Sequence, residues 1–425
     1  MENPLDEPRD PIAAVTHRDP YPYYARLAAE RPLYRDDALG LWVASGAEAV
    51  AAVLGSEICR VRPLREPVPA ALQGTPAGEV FGRLVRMNDG GRHASLKRAA
   101  SVTFDLLAGG RAAAVSRELA HSLQGDLHDL AFRLPVSVVA RLLGARPGEL
   151  EPAARSTGEL AAGFAPGASP EAVGQAGRAA LELRRLLQGF PVDGLLETFR
   201  RQARSAGLDE ETILDNGIGL LLQPYEATAG LIGNTLLALA RSPQTLERVR
   251  AAPESLGGLI EEVLRRDPAV QNTRRFLAQA GTVAGQEMRE GDTILVVLAA
   301  ANRDPTAARG FGFGAGRHAC PGQTLAATIA RAGVEQALAA GLEPGPLAQE
   351  VRYRPSVNVR VPLFPTAGEG DLTPRAGRSA SASHSQGRNA SPREIPVSSH
   401  SAWNGHPRRS RTRRRAPGWC RNDCT

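Results

Sequence analysis

Apolar side chains recur at three- and four-residue spacing over 112–144, 170–205, 212–241, 244–266 and 323–340, the period of a helix that buries one face. Shorter runs follow a different rule. Gly40-Leu41-Trp42-Val43-Ala44, Thr293-Ile294-Leu295-Val296-Val297 and Val357-Asn358-Val359-Arg360-Val361 carry the branched and aromatic residues of strands. The stretch from Thr282 to Asp292 predicts a hairpin feeding the second of them. No internal repeat is present. The pattern predicts a mainly α fold with small peripheral β-sheets, built as a single large domain over residues 1–365. After Phe364-Pro365 the periodicity stops. Residues 366–425 are rich in Ser, Arg, Gly, Pro and Ala, too poor in apolar surface to offset the entropy of ordering, and are expected to form a disordered tail.

Charge changes the picture only once it is divided. The 425-residue chain carries +6 overall, but eleven arginines against four acids place +7 on residues 366–425, which leaves the body at −1. A near-neutral body gives no case for nucleic acid. The run Arg408–Arg415 is the one basic segment that could serve it, and a solvated tail explains that run equally well. Lys97 is the only lysine among 51 basic residues, a bias that points to GC-rich coding DNA and a bacterial source. The N-terminus is charged and broken by prolines, and no apolar run is long enough to span a bilayer, so a cytoplasmic protein is expected. Cys59, Cys320, Cys420 and Cys424 form no disulfide framework and fit a reducing compartment. Cys420 and Cys424 lack the further ligands of a zinc site.

Cys320 stands apart from the other three. It lies in Phe313-Gly314-Ala315-Gly316-Arg317-His318-Ala319-Cys320-Pro321-Gly322, a glycine-punctuated loop that opens onto the helical run from Gln323. Glycines let backbone wrap close to a sulfur, and N–H groups at a helix N-terminus stabilise negative charge on it. A buried structural cysteine beside a glycine turn would account for Cys320 alone. It would not account for Phe313, Gly316, His318 and Gly322 in register with it. The order Phe-x-x-Gly-x-His-x-Cys-x-Gly resembles the cysteine loop of the cytochrome P-450 family of soluble bacterial type.

That resemblance, which covers roughly residues 11–365, implies an oxidoreductase: a monooxygenase holding haem b through an axial Cys320 thiolate to iron. Such an enzyme uses O2, a small apolar organic substrate and electrons from a separate ferredoxin or flavin-type donor. Phe313, Gly316, His318 and Gly322 would shape the cofactor loop. Haem propionates need cationic donors, and the resemblance assigns them to His93 and Lys97, to Arg275 and to His318. Glu262 and Arg265, at i and i+3, fall where the family has a Glu-x-x-Arg pair that buttresses the cysteine loop. Arg92, Arg98 and Arg317 could form a basic docking patch for the electron donor, or an ordinary solvated face.

Two departures from the family pattern matter. On the oxygen-side helix, Gln223-Pro224-Tyr225-Glu226-Ala227-Thr228 places Glu226 on the acid position but Ala227 on the threonine position, with Thr228 one residue late. Pro224 lacks an N–H and should kink this helix. Proton delivery would then fall to Glu226, through ordered water, through a substrate hydroxyl, or through Thr228 if the kink turns it inward. Between Asn302-Arg303-Asp304-Pro305 and the cysteine loop only Thr306–Gly312 remains, a shortened meander in which Arg309 is the sole candidate to complete the Glu262–Arg265 network. Incomplete pairing there would weaken haem retention. The alternative function is therefore a non-catalytic or degraded relative with impaired haem binding.

Overall fold

The structure, a computed structural model, describes residues 7–106, 110–123, 126–191, 194–349 and 351–364. The tail from 366, with Cys420, Cys424 and the run Arg408–Arg415, lies outside the described residues. The helices are α1 (Tyr21–Glu30), α2 (Ala47–Gly55), α3 (Pro76–Arg83), α4 (Gly90–Asp105), α5 (Gly110–Ser122), α6 (Leu127–Leu143) and α7 (Leu150–Gly163). They continue with α8 (Pro170–Gly189), α9 (Leu195–Ser205), α10 (Glu210–Arg241), α11 (Pro243–Ala251), α12 (Leu256–Arg266), α13 (Leu298–Ala301) and α14 (Gln323–Ala339). The strands are β1 (Leu33–Asp36), β2 (Leu41–Ala44), β3 (Cys59–Arg60), β4 (Thr273–Leu277), β5 (Gly281–Val283), β6 (Gln286–Met288), β7 (Thr293–Val296), β8 (Arg352–Tyr353) and β9 (Pro362–Leu363).

Three of the predicted helical runs divide. The 112–144 run becomes α5 and α6, 170–205 becomes α8 and α9 with Pro191 between them, and 244–266 is interrupted at Pro253. Proline cannot supply the N–H that would carry the ladder across such a point. Pro224 does not divide α10: thirty-two residues run as one helix through it. The long helix is the spine of the larger core, against which Leu134 and Val138 of α6, Leu183 and Leu187 of α8 and Ile329 of α14 are buried.

A five-stranded sheet in the order β1-β2-β7-β4-β3 carries the smaller cores. Its one parallel pair, β2 with β7, aligns Trp42 with Ile294 and Ala44 with Val296. The predicted hairpin forms as β5 and β6, turning on Ala284 (φ 48°) and Gly285 (φ 78°), both in the left-handed region that a tight two-residue turn demands. The expected strand over 357–361 is reduced to one antiparallel bridge, Val359 with Val270, flanked by Gln271 N–H to Asn358 O at 2.8 Å and Arg360 N–H to Ala269 O at 2.7 Å. Val357 and Asn358 bend ahead of it, where the Ser356 hydroxyl accepts the Asn358 and Val359 N–H groups. The fully buried Arg360 guanidinium then caps the carbonyls of Val15, His17 and Arg18.

Candidate functional site

The cysteine loop is closed by its own backbone. Cys320 N–H donates to Phe313 O at 2.9 Å, Gly314 N–H to Phe311 O at 2.8 Å and Ala319 N–H to Gly316 O at 3.1 Å. Gly316 sits at φ 65°, and a Cβ there would stand 2.8 Å from Leu54 O at the end of α2. No side chain fits that approach. The loop ends two residues past Cys320 at Gly322, the N-cap of α14, whose N–H lies on the sulfur's side. Burial pushes the Cys320 thiol up, while that N–H and the Lys97 ammonium pull it back. A cation bound at the sulfur would tip the balance to thiolate.

Around this loop the structure gathers the basic residues that the sequence offered separately. Lys97 on α4 donates its ammonium to Ala319 O. One turn earlier, His93 lays its ring 4.0 Å from the His318 ring, tilted by 38°. His318 Nε2 lies 3.2 Å from Asp89 Oδ1. Arg275, 5 % exposed on β4, spends one nitrogen on Thr273 Oγ1 and Arg274 O. Its pKa falls to about 10, first through burial and also through Arg317, against the pull of Asp89.

Burial holds His93 at about 4, reinforced by His318 and Lys97, and burial also lowers His318 despite Asp89. Burial works to raise Asp89, but His318 and the Val61 N–H overcome it and hold the carboxyl at about 2. At neutral pH both imidazoles are therefore uncharged. Lys97, Arg275 and Arg317, with Arg62 beside Asp89, set several positive charges against the single Asp89 carboxylate and leave a positive excess. A group with two carboxylates matches that excess, and a soft thiolate donor matches iron. The residues fit haem.

Arg317 and Asp89 were not among the expected cofactor residues. The Arg317 guanidinium points inward: Nη2 donates to Ser56 O at 2.8 Å and Cys59 O at 2.9 Å, and Nη1 to Gly55 O at 3.4 Å. Arg317 is thus a brace between the cysteine loop and the α2–β3 turn, not part of a free docking patch. Arg92 is likewise engaged, with the Thr212 hydroxyl at 2.6 Å. The signal in the sequence was position: Arg317 lies inside the motif, and Asp89 precedes the helix that carries His93 and Lys97.

The Glu262–Arg265 expectation is corrected. Glu262 bonds Arg266, one full turn on, with its Oε1 3.1 Å from Nε, and Arg265 is exposed. α12 turns Leu256, Leu259, Ile260 and Val263 inward, which leaves its charged face to solvent. Arg309 is exposed too, its guanidinium 5.9 Å from the Phe311 ring, and reaches neither residue. The shortened meander is anchored otherwise: Asn302 Oδ1 accepts the Phe311 N–H at 2.7 Å.

On α10 the residues from Thr212 to Leu222 and from Thr228 to Leu237 are buried without interruption. Between them Gln223 is exposed and Pro224 to Ala227 are half-buried, so a window opens in the middle of a core helix. Glu226 stands in it, its Oε1 3.3 Å from Arg354 Nη1. Beside it the Tyr225 ring packs on Phe132 with centroids 5.1 Å apart, and both line a cavity of about 260 Å³. Thr228 is 2 % exposed and two residues, about 200° of helix, around from Glu226. The two do not share a face, and Thr228 does not open onto the window.

No protein-family model matches the chain. Individual relatives do. A 20-oxo-5-O-mycaminosyltylactone 23-monooxygenase of Streptomyces fradiae is 30% identical over 374 residues, covering 78% of this chain and 84% of the relative. The cytochrome P-450 monooxygenase PikC of Streptomyces venezuelae is 30% identical over 357 residues, 75% of this chain and 83% of its own length. Among solved structures, CalO2 superposes with a TM-score of 0.73 at 26% identity, over 83% of this chain and 96% of that one. With the cysteine loop, its basic surround and these relatives in agreement, the chain belongs to the cytochrome P-450 family and is a monooxygenase of the type its bacterial relatives represent.

Proposed function

We propose that the monooxygenase holds haem b with Cys320 as axial ligand and inserts one oxygen atom of dioxygen into a small organic substrate with an apolar body. Haem supplies, when bound, the reductive activation of dioxygen, favoured by electron donation from the thiolate. Electrons come from a separate ferredoxin- or flavin-type donor, in the cytoplasm. Among the described residues no helix is long and apolar enough to cross a membrane.

The observation that carries this reading is the positive excess gathered around the cysteine loop. Lys97, Arg275 and Arg317 supply the charge, and His93 and His318 add neutral ring nitrogens able to hydrogen-bond a carboxylate. Gly322 N–H and Lys97 stabilise charge on the sulfur. At the α10 window, Glu226 is the group placed to receive and release protons, with Arg354 fixing its carboxylate. Ala227 offers no hydroxyl, so water completes the path. The alternative of a degraded relative finds no gap in the basic cluster to support it. The test is the reduced, carbon monoxide-treated difference spectrum. A thiolate-type band is expected in the parent protein and absent from Cys320→Ser. A normal band in that variant would overturn the ligand assignment.

A further inference from the structure

Asp89 occupies the N-cap position of α4 without capping it. An aspartate there ordinarily accepts an N–H of the first helical turn. Here Gly90 follows at φ 69°, in the left-handed region open to glycine, and the carboxylate serves two other segments instead. Oδ2 accepts the N–H of Val61, just after β3, at 3.0 Å, and Oδ1 lies 3.2 Å from His318 Nε2 in the cysteine loop. Arg317 Nε is farther off, at 3.6 Å, and is buried with no hydrogen bond. The carboxylate thus engages the imidazole rather than the neighbouring guanidinium.

An acid is poorly placed here for its charge alone. Its side chain is 12 % exposed, and it stands among the cations that would hold two haem propionates. A carboxylate ionised in that cluster repels the groups that Lys97, Arg275 and Arg317 attract. Its hold on His318 is the compensating contribution. Among the described residues Asp89 is the one hydrogen-bond partner of the His318 ring. His93, from α4, covers a face of that ring at 4.0 Å. Packing on a face still lets an imidazole flip about its Cβ–Cγ bond, which exchanges its two edges. A bond to Nε2 selects one of them.

We propose that Asp89 is a positioning residue for the cofactor, holding the His318 ring in the one orientation that receives haem. In doing so it ties α4, the cysteine loop and the segment after β3 into a single frame. This rests on the haem reading of the site. The sign of one substitution separates two effects. If Asp89 acted on haem through its charge alone, removing that charge would tighten haem. If Asp89 acts by holding His318, the same change loosens haem although a repulsion has gone.

The experiment follows haem loss from the ferric full-length protein to an excess of an apoglobin acceptor, in the parent, Asp89→Asn, His318→Gln and the double variant. Asparagine keeps an oxygen for the Val61 N–H, and the carbon monoxide spectrum of each sample shows that it starts loaded. Asp89→Asn is expected to speed haem loss about tenfold or more. His318→Gln should act comparably, and the double variant should lose haem no faster than the faster single, because either change removes the same contact. Asp89→Glu, with its charge on a longer arm, should fall between the parent and Asp89→Asn. Should Asp89→Asn fail to load, Asp89→Glu alone and with His318→Gln carries the same comparison. Slower or unchanged haem loss in Asp89→Asn would overturn the positioning role. So would effects that multiply in the double variant, the signature of a general loosening of the fold. A parent protein that takes up no haem would overturn the monooxygenase reading and this role with it, whereas a normal thiolate band with multiplying effects overturns this role alone.

Discussion

The imidazole rings of His93 and His318 lie 4.0 Å apart with Asp89 bonded to the second, so the two histidines cannot both charge without mutual repulsion. His93 is held at about 4 against an ordinary value of 6.5. A depressed folded-state pKa means that the unfolded chain binds more protons across this interval. Stability is therefore complete above pH 6.5 and is lost as pH falls towards 4, by up to roughly 3 kcal/mol for this one group. Melting temperatures of haem-free protein should drop between pH 7 and 4.5, and His93→Gln should flatten the drop. Asp89 acts lower, between its ordinary 3.8 and about 2. A pH-independent melting temperature from 7 to 4.5 would contradict the stacked, buried arrangement.

Arg317 should be the most sensitive brace of the cysteine loop. Its guanidinium satisfies the carbonyls of Gly55, Ser56 and Cys59 at once. Arg317→Ala strips these acceptors and should cost about 1–3 kcal/mol in chemical denaturation, with a fall in haem occupancy. Arg317→Lys restores the charge but not the planar fork and should recover only part of the loss. By contrast, Arg309→Ala removes an exposed side chain and should lie within about 0.5 kcal/mol of the parent. A large effect at Arg309 and none at Arg317 would reverse the assignment.

The cysteine loop and its helix were legible because the motif is local: Gly316, His318, Cys320 and Gly322 act on one another across six residues. His93, Lys97 and Arg275 were legible as types and only the fold shows them meeting. The buttress was misread for the same reason. Spacing places Glu262 and Arg265 on one helical face, but does not say whether that face is buried. Here Val263 and Ile260 take the core side and Glu262 settles on Arg266. The work passes to Arg317 and Asn302, whose partners are mostly backbone atoms and leave no pattern in the sequence. Helix ends suffered likewise, since a periodic pattern runs on across Pro191 and Pro253 where the hydrogen-bond ladder does not.

Two glycines of one loop should respond oppositely. Gly316→Ala forces a Cβ to within 2.8 Å of Leu54 O at φ 65°, and should destabilise by about 1–3 kcal/mol through strain and displacement of α2. Gly322 has an ordinary φ of −94°, and its added Cβ would meet Phe104 at 3.6 Å and the Cys320 sulfur at 3.9 Å. The haem-free Gly322→Ala protein should therefore melt within a few degrees of the parent, while its haem spectrum reports any crowding at the sulfur. Equal destabilisation by both would mean that the loop is less tightly seated on α2 than its backbone contacts require.

Under the proposed function, the Glu226–Arg354 pair matters for proton delivery more than for stability. Both side chains are about one-third accessible, Glu226 at 34% and Arg354 at 28%, so a double-mutant cycle on melting should return a coupling of only about 0.5–1 kcal/mol. Turnover should be far more sensitive. With Ala227 lacking a hydroxyl and Thr228 buried on another face, no second side chain on this turn stands ready to replace the carboxylate. Glu226→Gln should slow electron-driven product formation about tenfold or more and raise the fraction of electrons lost to peroxide, with substrate affinity little changed. Arg354→Gln, which leaves the carboxylate in place but frees it, should give a smaller loss of the same kind. Supplying hydrogen peroxide brings both oxygen and protons, so the Glu226→Gln defect should shrink by that route. Equal losses by the two routes would remove Glu226 from the proton path and leave it a structural partner of Arg354.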